Sequence, residues 1–205
     1  MAITGVSSSF YAKYKENNGT PTYEGGGKFA RMTNVENTIT ANETELYSDD
    51  GLEDADYSFS SGALKIDVSD LEDGVVSDIT GAKLEERKVG DETVQEIVYD
   101  DEQEESELGF GFVIEKKKKG VYSYRAIVLP RIKFKMPGVT AATRGKTLSF
   151  QTRTVEAVVY RDHSEKRRWK SEATFSKKEN AIAYIKELLN ITEAQQAAQQ
   201  AAQEE

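Results

Sequence analysis

The sequence predicts a mainly β domain of the α+β class: a sandwich or barrel-like sheet with one short flanking helix and a C-terminal helix. Three observations predict it. Apolar residues recur at every second position over long stretches, as in Leu64, Ile66 and Val68 or Phe110, Phe112 and Ile114. Clusters of Gly, Asn, Asp and Pro interrupt these runs at short intervals. Helical spacing of apolar residues occurs at only two places, near residues 70–80 and after residue 176.

Residues 3–14 and 28–40 carry β-branched and aromatic side chains and read as two strands. The ENNGTPTYEGGG stretch between them is turn chemistry, so a flexible loop is expected near 15–27. A second long loop is expected at 41–56, where Glu43, Glu45, Asp49, Asp50, Glu53, Asp54 and Asp56 crowd together without a Lys or Arg. Residues 57–68 then read as a half-buried strand, and the change of parity between Phe59 and Leu64 suggests a bulge at Ser61-Gly62. Ser69 and Glu72 have capping-box spacing, Leu71, Val75 and Ile79 share one helical face, and Gly81 suits a left-handed stop, so a helix is expected over 70–80.

Strand patterns resume with LEERKV and TVQEIVY around a GDE turn, followed by a third acidic loop near 100–107. Residues 107–134 read as a hairpin whose solvated tip is Lys116–Lys119 and Gly120. Residues 146–160 read as a strand, with Leu148 and Phe150 on one parity and Val155, Ala157 and Val159 on the other. A β domain therefore spans 1–175. In 176–205, Ser176 and Glu179 form a second capping-box pair, Ile182, Ile185, Leu188 and Leu189 share a helix face, and a Gln/Ala-rich tail follows with no stripe to bury.

Composition narrows the function classes. With 205 residues, one core with appended elements is expected; 38% apolar and 31% charged residues imply that this core is compact and its loops well solvated. The absence of Cys removes disulfides, thiolate metal sites and a cysteine nucleophile, and fits a reducing compartment. The start MAITGVSSSF has neither a basic nor an apolar leader region and no apolar run is long enough for a bilayer, so folding in the cytoplasm and no membrane partner are expected. A net charge of −9 opposes phosphate binding, so nucleic acid is repelled rather than held.

Chemistry-bearing patterns reduce to structural ones. The acidic runs lack the ligand spacing of a calcium loop, and no cofactor or metal site is expected. The G-x-G at 109–111 lies within a strand, where glycines face one way and phenylalanines the other, without the helix a dinucleotide fingerprint requires. His163 is the single histidine and sits in the charged run RDHSEKRRWK with no credible nucleophile beside it, so no enzyme is expected. Tyr11, Tyr14, Tyr57, Phe59, Phe110 and Phe112 alternate with polar residues and are assigned to the interior. The remaining candidates are subunit contacts: Glu43, Glu45, Tyr47, Asp49, Asp50, Glu53 and Asp54 on the acidic stretch, Lys116, Lys117, Lys118 and Lys119 on the hairpin tip, and Arg167, Arg168 and Trp169 in the charged run.

One resemblance follows from the order of parts. Thr40, Asn42–Glu45 and Tyr47–Gly51 form a loop ending in Tyr47-Ser48-Asp49-Asp50, followed by a strand with Ser61-Gly62 and then DLEDGVVSDITGAK. Together with the downstream stretch YRAIVLPRIKFKMPGVTAATRGKTLSFQTRTVEAVVY, this resembles the major tail tube proteins of long-tailed bacteriophages over about residues 3–160. The resemblance implies a subunit that forms hexameric rings stacked into a tube, partnered by itself and by tape-measure and terminator proteins, assembled in the host cytoplasm and located in the virion tail. DNA would pass through the lumen without specific binding, consistent with carboxylates that repel phosphates. The alternative is a monomeric β-sandwich binding or decoration module of a virion.

Overall fold

The computed structural model describes residues 2–49, 51–139, 152–192 and 195. The fold is mainly β, as expected. Its main sheet has the order β2-β1-β9-β10-β11-β6-β3, with β12 also beside β10. These strands are β1 (Ala2–Asn17), β2 (Thr20–Lys28), β3 (Met32–Ala41), β6 (Phe59–Val68), β9 (Glu107–Lys118), β10 (Val121–Phe134), β11 (Arg153–Tyr160) and β12 (Ser171–Phe175). Two further hairpins, β4 (Thr44–Ser48) with β5 (Gly51–Asp56) and β7 (Lys83–Val89) with β8 (Glu92–Val98), form separate two-stranded sheets. No helix among the described residues is long and apolar enough to cross a membrane.

The sheet curls on itself because β2 and β3, its two edges, are joined by only Phe29–Arg31. Three residues span roughly 10 Å at most, so the end of β2 and the start of β3 lie close together, and β3 comes to lie beside β1. The connector bonds to both sides: Phe29 N–H donates to Ser9 O at 3.1 Å, and Ser69 N–H donates to Arg31 O at 3.0 Å. A single bent chain thus passes from one edge to the other, which is how barrel-like sheets turn corners. Phe29 plugs the seam, with its ring 5.2 Å from Phe110 and stacked 5.3 Å from Phe134.

The first loop is corrected by this arrangement. Residues 20–28 are strand rather than a flexible loop, because β1 continues to Asn17 and pairs with them in register from Asn17↔Thr20 to Phe10↔Lys28. The acidic stretch is likewise a hairpin, β4–β5, rather than a loop. Strand β6 starts at Phe59, not 57, and its bulge falls one step earlier than expected, since Thr40 pairs Ser61 while Ala41 pairs Phe59. Tyr57, assigned to the interior, is 59% exposed and donates to Glu45 instead. Leu148 and Phe150 lie outside the described residues, as do 140–145 of the expected loop and most of the Gln/Ala-rich tail.

Helix α1 (Asp73–Thr80) covers the inside of the curl with Val75, Val76 and Ile79. The buried Tyr11 hydroxyl anchors it by donating to Asp78 at 2.7 Å, and Lys13 meets the same carboxylate at 2.7 Å. Burial, then Asp78, holds that hydroxyl far above the ordinary tyrosine range. Ser69 does not cap α1: its N–H and its hydroxyl both turn to Arg31 O in the connector, and Glu72 takes the N-cap position without a side-chain bond. Helix α2 (Lys178–Leu188) packs on the outer face. Ser176 is not its cap either: β12 keeps the chain extended to Phe175, and Lys177 occupies the N-cap.

The two glycines of the GFGF stretch explain where α2 sits. Phe110 and Phe112 point into the curl, while Gly109 and Gly111 face α2. A methyl on Gly109 would overlap Tyr23 and Leu189, and one on Gly111 would overlap Ile185. The glycine groove therefore sets the buried stripe at Ala181, Ile185 and Leu189, and turns Leu188 out to 38% exposure, contrary to its expected place on the buried face.

Candidate assembly surfaces

The acidic stretch gathers most of the expected contact residues on one projecting element. Glu45 and Tyr47 lie on β4, Glu53 and Asp54 on β5, Glu43 just before the hairpin, and Asp49 in its turn with φ 49°. Asp50 lies outside the described residues. The register shifts between Leu46↔Asp54 and Tyr47↔Leu52, leaving Glu53 bulged. Tyr47 donates to Glu45 at 2.7 Å, and that carboxylate pushes the tyrosine pKa up. Among the described residues, no Lys or Arg forms an ion pair with this hairpin, while Leu46, Tyr47 and Leu52 are 57%, 64% and 54% exposed.

The lysine tip is where the sequence placed it, but its lysines divide between the two faces of the sheet. Lys117 turns to the α2 side and lies 4.7 Å over the Tyr122 ring. Lys116 and Lys118 point to the opposite face, and Lys119 sits in the turn with φ 47°. Lys116 is half-buried, and burial followed by the nearby Arg125 lowers its pKa.

The third candidate group separates. Arg167 and Arg168 are exposed on the connection between β11 and β12, whereas Trp169 stacks on Phe59 with ring centroids 4.5 Å apart. Trp169 is therefore partly buried against the core rather than held out from the charged run. Arg161 joins the same lock through its bond to the Phe59 carbonyl. His163 is half-exposed with its Nδ1 against the Glu16 carboxylate, while the Ser164 hydroxyl donates to Asp162 at 2.7 Å rather than to the imidazole. Among the described residues, no group of three or more His, Asp or Glu side chains is placed to hold a metal ion.

This connection is held to the sheet by Arg131, which sequence reading missed. Its guanidinium grips Glu107 through two bonds of 2.8 and 2.5 Å and donates to Arg161 O at 3.3 Å. The Arg131 bonds, offset by partial burial, hold the Glu107 carboxyl below the usual glutamate range. A depressed carboxylate pKa contributes stability that is present above the unfolded value and is lost as pH falls through the folded value. Glu107→Gln is therefore expected to cost about 1.5–3 kcal/mol at pH 7. The gap between parent and variant in urea unfolding should begin to narrow below about pH 4.3 and close as pH falls through the lower folded value; a gap unchanged at pH 3 would refute the pairing.

The strands expected around the GDE turn form the hairpin β7–β8, whose Leu84 and Val89 are 40% and 60% exposed while Ile97 packs against the core. Its strands were legible, but nothing local says that they stay off the main sheet. No protein-family model matches the chain, and no curated protein sequence matches it.

Proposed function

We propose that this protein is a structural subunit of a bacteriophage tail tube, self-assembling into stacked hexameric rings that form the conduit for DNA ejection. It works without catalysis or cofactor, in the virion tail, after assembly in the host cytoplasm with tape-measure and terminator partners. The ring number and the partners follow from the resemblance of residues 3–160 to major tail tube proteins.

The observation that carries the reading is the pair of projecting hairpins. A two-stranded hairpin alone is marginally stable in water. Both expose large apolar side chains on an otherwise charged chain, as expected of segments that pack on other subunits. Like-charged loops on a chain of net charge −9 also suit a conduit past which DNA slides without sticking.

Purified protein is expected to show rings or tubes in negative-stain micrographs, with a mass several times the 22.8 kDa chain. A monodisperse monomer at high concentration would overturn the assembly and leave the virion decoration module in its place.

A further inference from the structure

Past the apolar interior, the ends of β1, β9, β10 and β12 continue as a small sheet with one face covered and one bare. The covered face belongs to α2: Glu115 accepts from Lys178 at 2.9 Å, and Tyr124 and Phe175 pack with Ile185. On the other face, Ile3 stands opposite Lys116, Lys118 opposite Val121, and Arg125 opposite Thr174. Ile3 and Val121 are 67% and 71% exposed. Glu172 pairs with both Arg125 and Lys170, which leaves Lys116 and Lys118 without an ion pair among the described residues. This face is therefore cationic with apolar spots.

The β4–β5 hairpin has the converse surface: carboxylates without cations, with Tyr47 directly across from Leu52. The two surfaces lie on the same end of the fold. Moving along β10 toward Val121 leads, through the β11, β6 and β3 pairings, to Tyr160, Phe59 and Ala41, where the hairpin leaves the sheet. Two different, complementary patches on one chain make a head-to-tail contact, the kind that closes into rings when repeated. Charge complementarity sets the register of such contacts and excludes like-charged alternatives.

We propose that the β4–β5 hairpin of one copy docks across the bare Ile3, Lys116, Lys118, Val121 and Arg125 face of the next copy. This rests on the self-assembly reading above and adds the contact that makes it directional.

Charge reversal tests it. Glu53→Lys/Asp54→Lys on the hairpin, or Lys116→Glu/Lys118→Glu on the face, should each raise the concentration needed for assembly on the order of a hundredfold. Mixing the two variants restores opposite charge at every contact of an alternating assembly and should recover it. Because Lys116 is half-buried, Lys118→Glu/Val121→Glu serves as a second face variant, with circular dichroism and Tm checking the fold. As a direct readout, a chain with Asp54→Cys mixed with a chain with Lys118→Cys should form a disulfide-linked dimer, since the parent has no cysteine. Blocked variants that mixing does not rescue would place the contact within one chain and overturn the proposal. Assembly indifferent to both reversals would overturn it while leaving the tube reading intact, and a parent that never oligomerises would overturn both.

Discussion

Phe110→Ala is expected to lower the unfolding free energy by about 3–5 kcal/mol, the usual cost of deleting a buried aromatic ring. Phe110 is fully buried and meets three aromatic rings, with centroids 5.2 Å from Phe29, 6.1 Å from Phe134 and 6.0 Å from Phe112. Edge-to-face pairs add about 0.5–1.5 kcal/mol beyond area burial, so the loss exceeds transfer of one ring. Position matters as much as area. Phe29 is the residue at which the chain leaves β2, paired with β1, for β3, paired with β6, and Phe110 is the surface it leans on. The cavity therefore opens at the seam of the curled sheet, where neighbouring backbone is bonded on both sides and cannot collapse inward. Urea unfolding should show the midpoint fall with little change in slope, and Tm should drop by about 10 °C. A loss under about 1 kcal/mol would mean that the seam relaxes and Phe110 is not its support.

The legible parts of the fold were those whose neighbours in sequence decide their environment. Strands β9 and β10 carry alternation along with a Lys-Gly turn, and both faces of β9 could be assigned from GFGF, the aromatics inward and the glycines outward. What the glycines admit was not legible, since α2 returns from residue 178 onward to fill the groove. Strand β2 was hidden by its own composition. Thr20-Pro21-Thr22 and Gly25–Gly27 are turn residues by propensity, and tertiary contacts hold them extended: pairing with β1, the Tyr23 hydroxyl donating to Pro130 O at 2.9 Å, and Asn190 donating to Tyr23 O at 3.2 Å. Hairpin β4–β5 left no period because nearly all its side chains are exposed, and a strand without a buried face has no alternation to show.

The candidate surfaces follow the same division. The acidic hairpin and the lysine tip were read from local charge, but Ile3, which joins the cationic face, comes from β1 at the far end of the chain and is set beside Lys116 by register. Trp169 shows the converse error. Its sequence neighbours are charged, so it read as exposed, whereas its stacking partner Phe59 is more than a hundred residues away. Local polarity predicts the environment of a loop residue poorly when the loop packs back on a strand, as this one does on β6 through Trp169.

Gly81→Ala is expected to cost about 2–5 kcal/mol, although it adds a single methyl group. About 1–2 kcal/mol is the penalty for a side chain in the left-handed conformation, since Gly81 ends α1 with φ 75°. A further 1–3 kcal/mol or so comes from overpacking, because the new Cβ would overlap the carbonyl of Glu104. That neighbour is backbone and has little freedom to yield. Gln103 donates to Thr80 O at 3.3 Å, and Glu105 is tied to Lys133 at 3.0 Å, so the segment is fixed on both sides of the clash. Gly90→Ala separates the two costs. Gly90 has φ 64° in the β7–β8 turn but open space around it, so its loss should stop at about 1–2 kcal/mol. The difference between the two variants in urea unfolding measures the contact of the helix end with residues 103–105. Amide exchange at Ala82 and Glu105 should quicken only in Gly81→Ala. Equal losses at the two glycines would show that the 103–105 segment moves aside freely, and that α1 is held by its buried stripe and the Tyr11–Asp78 bond alone.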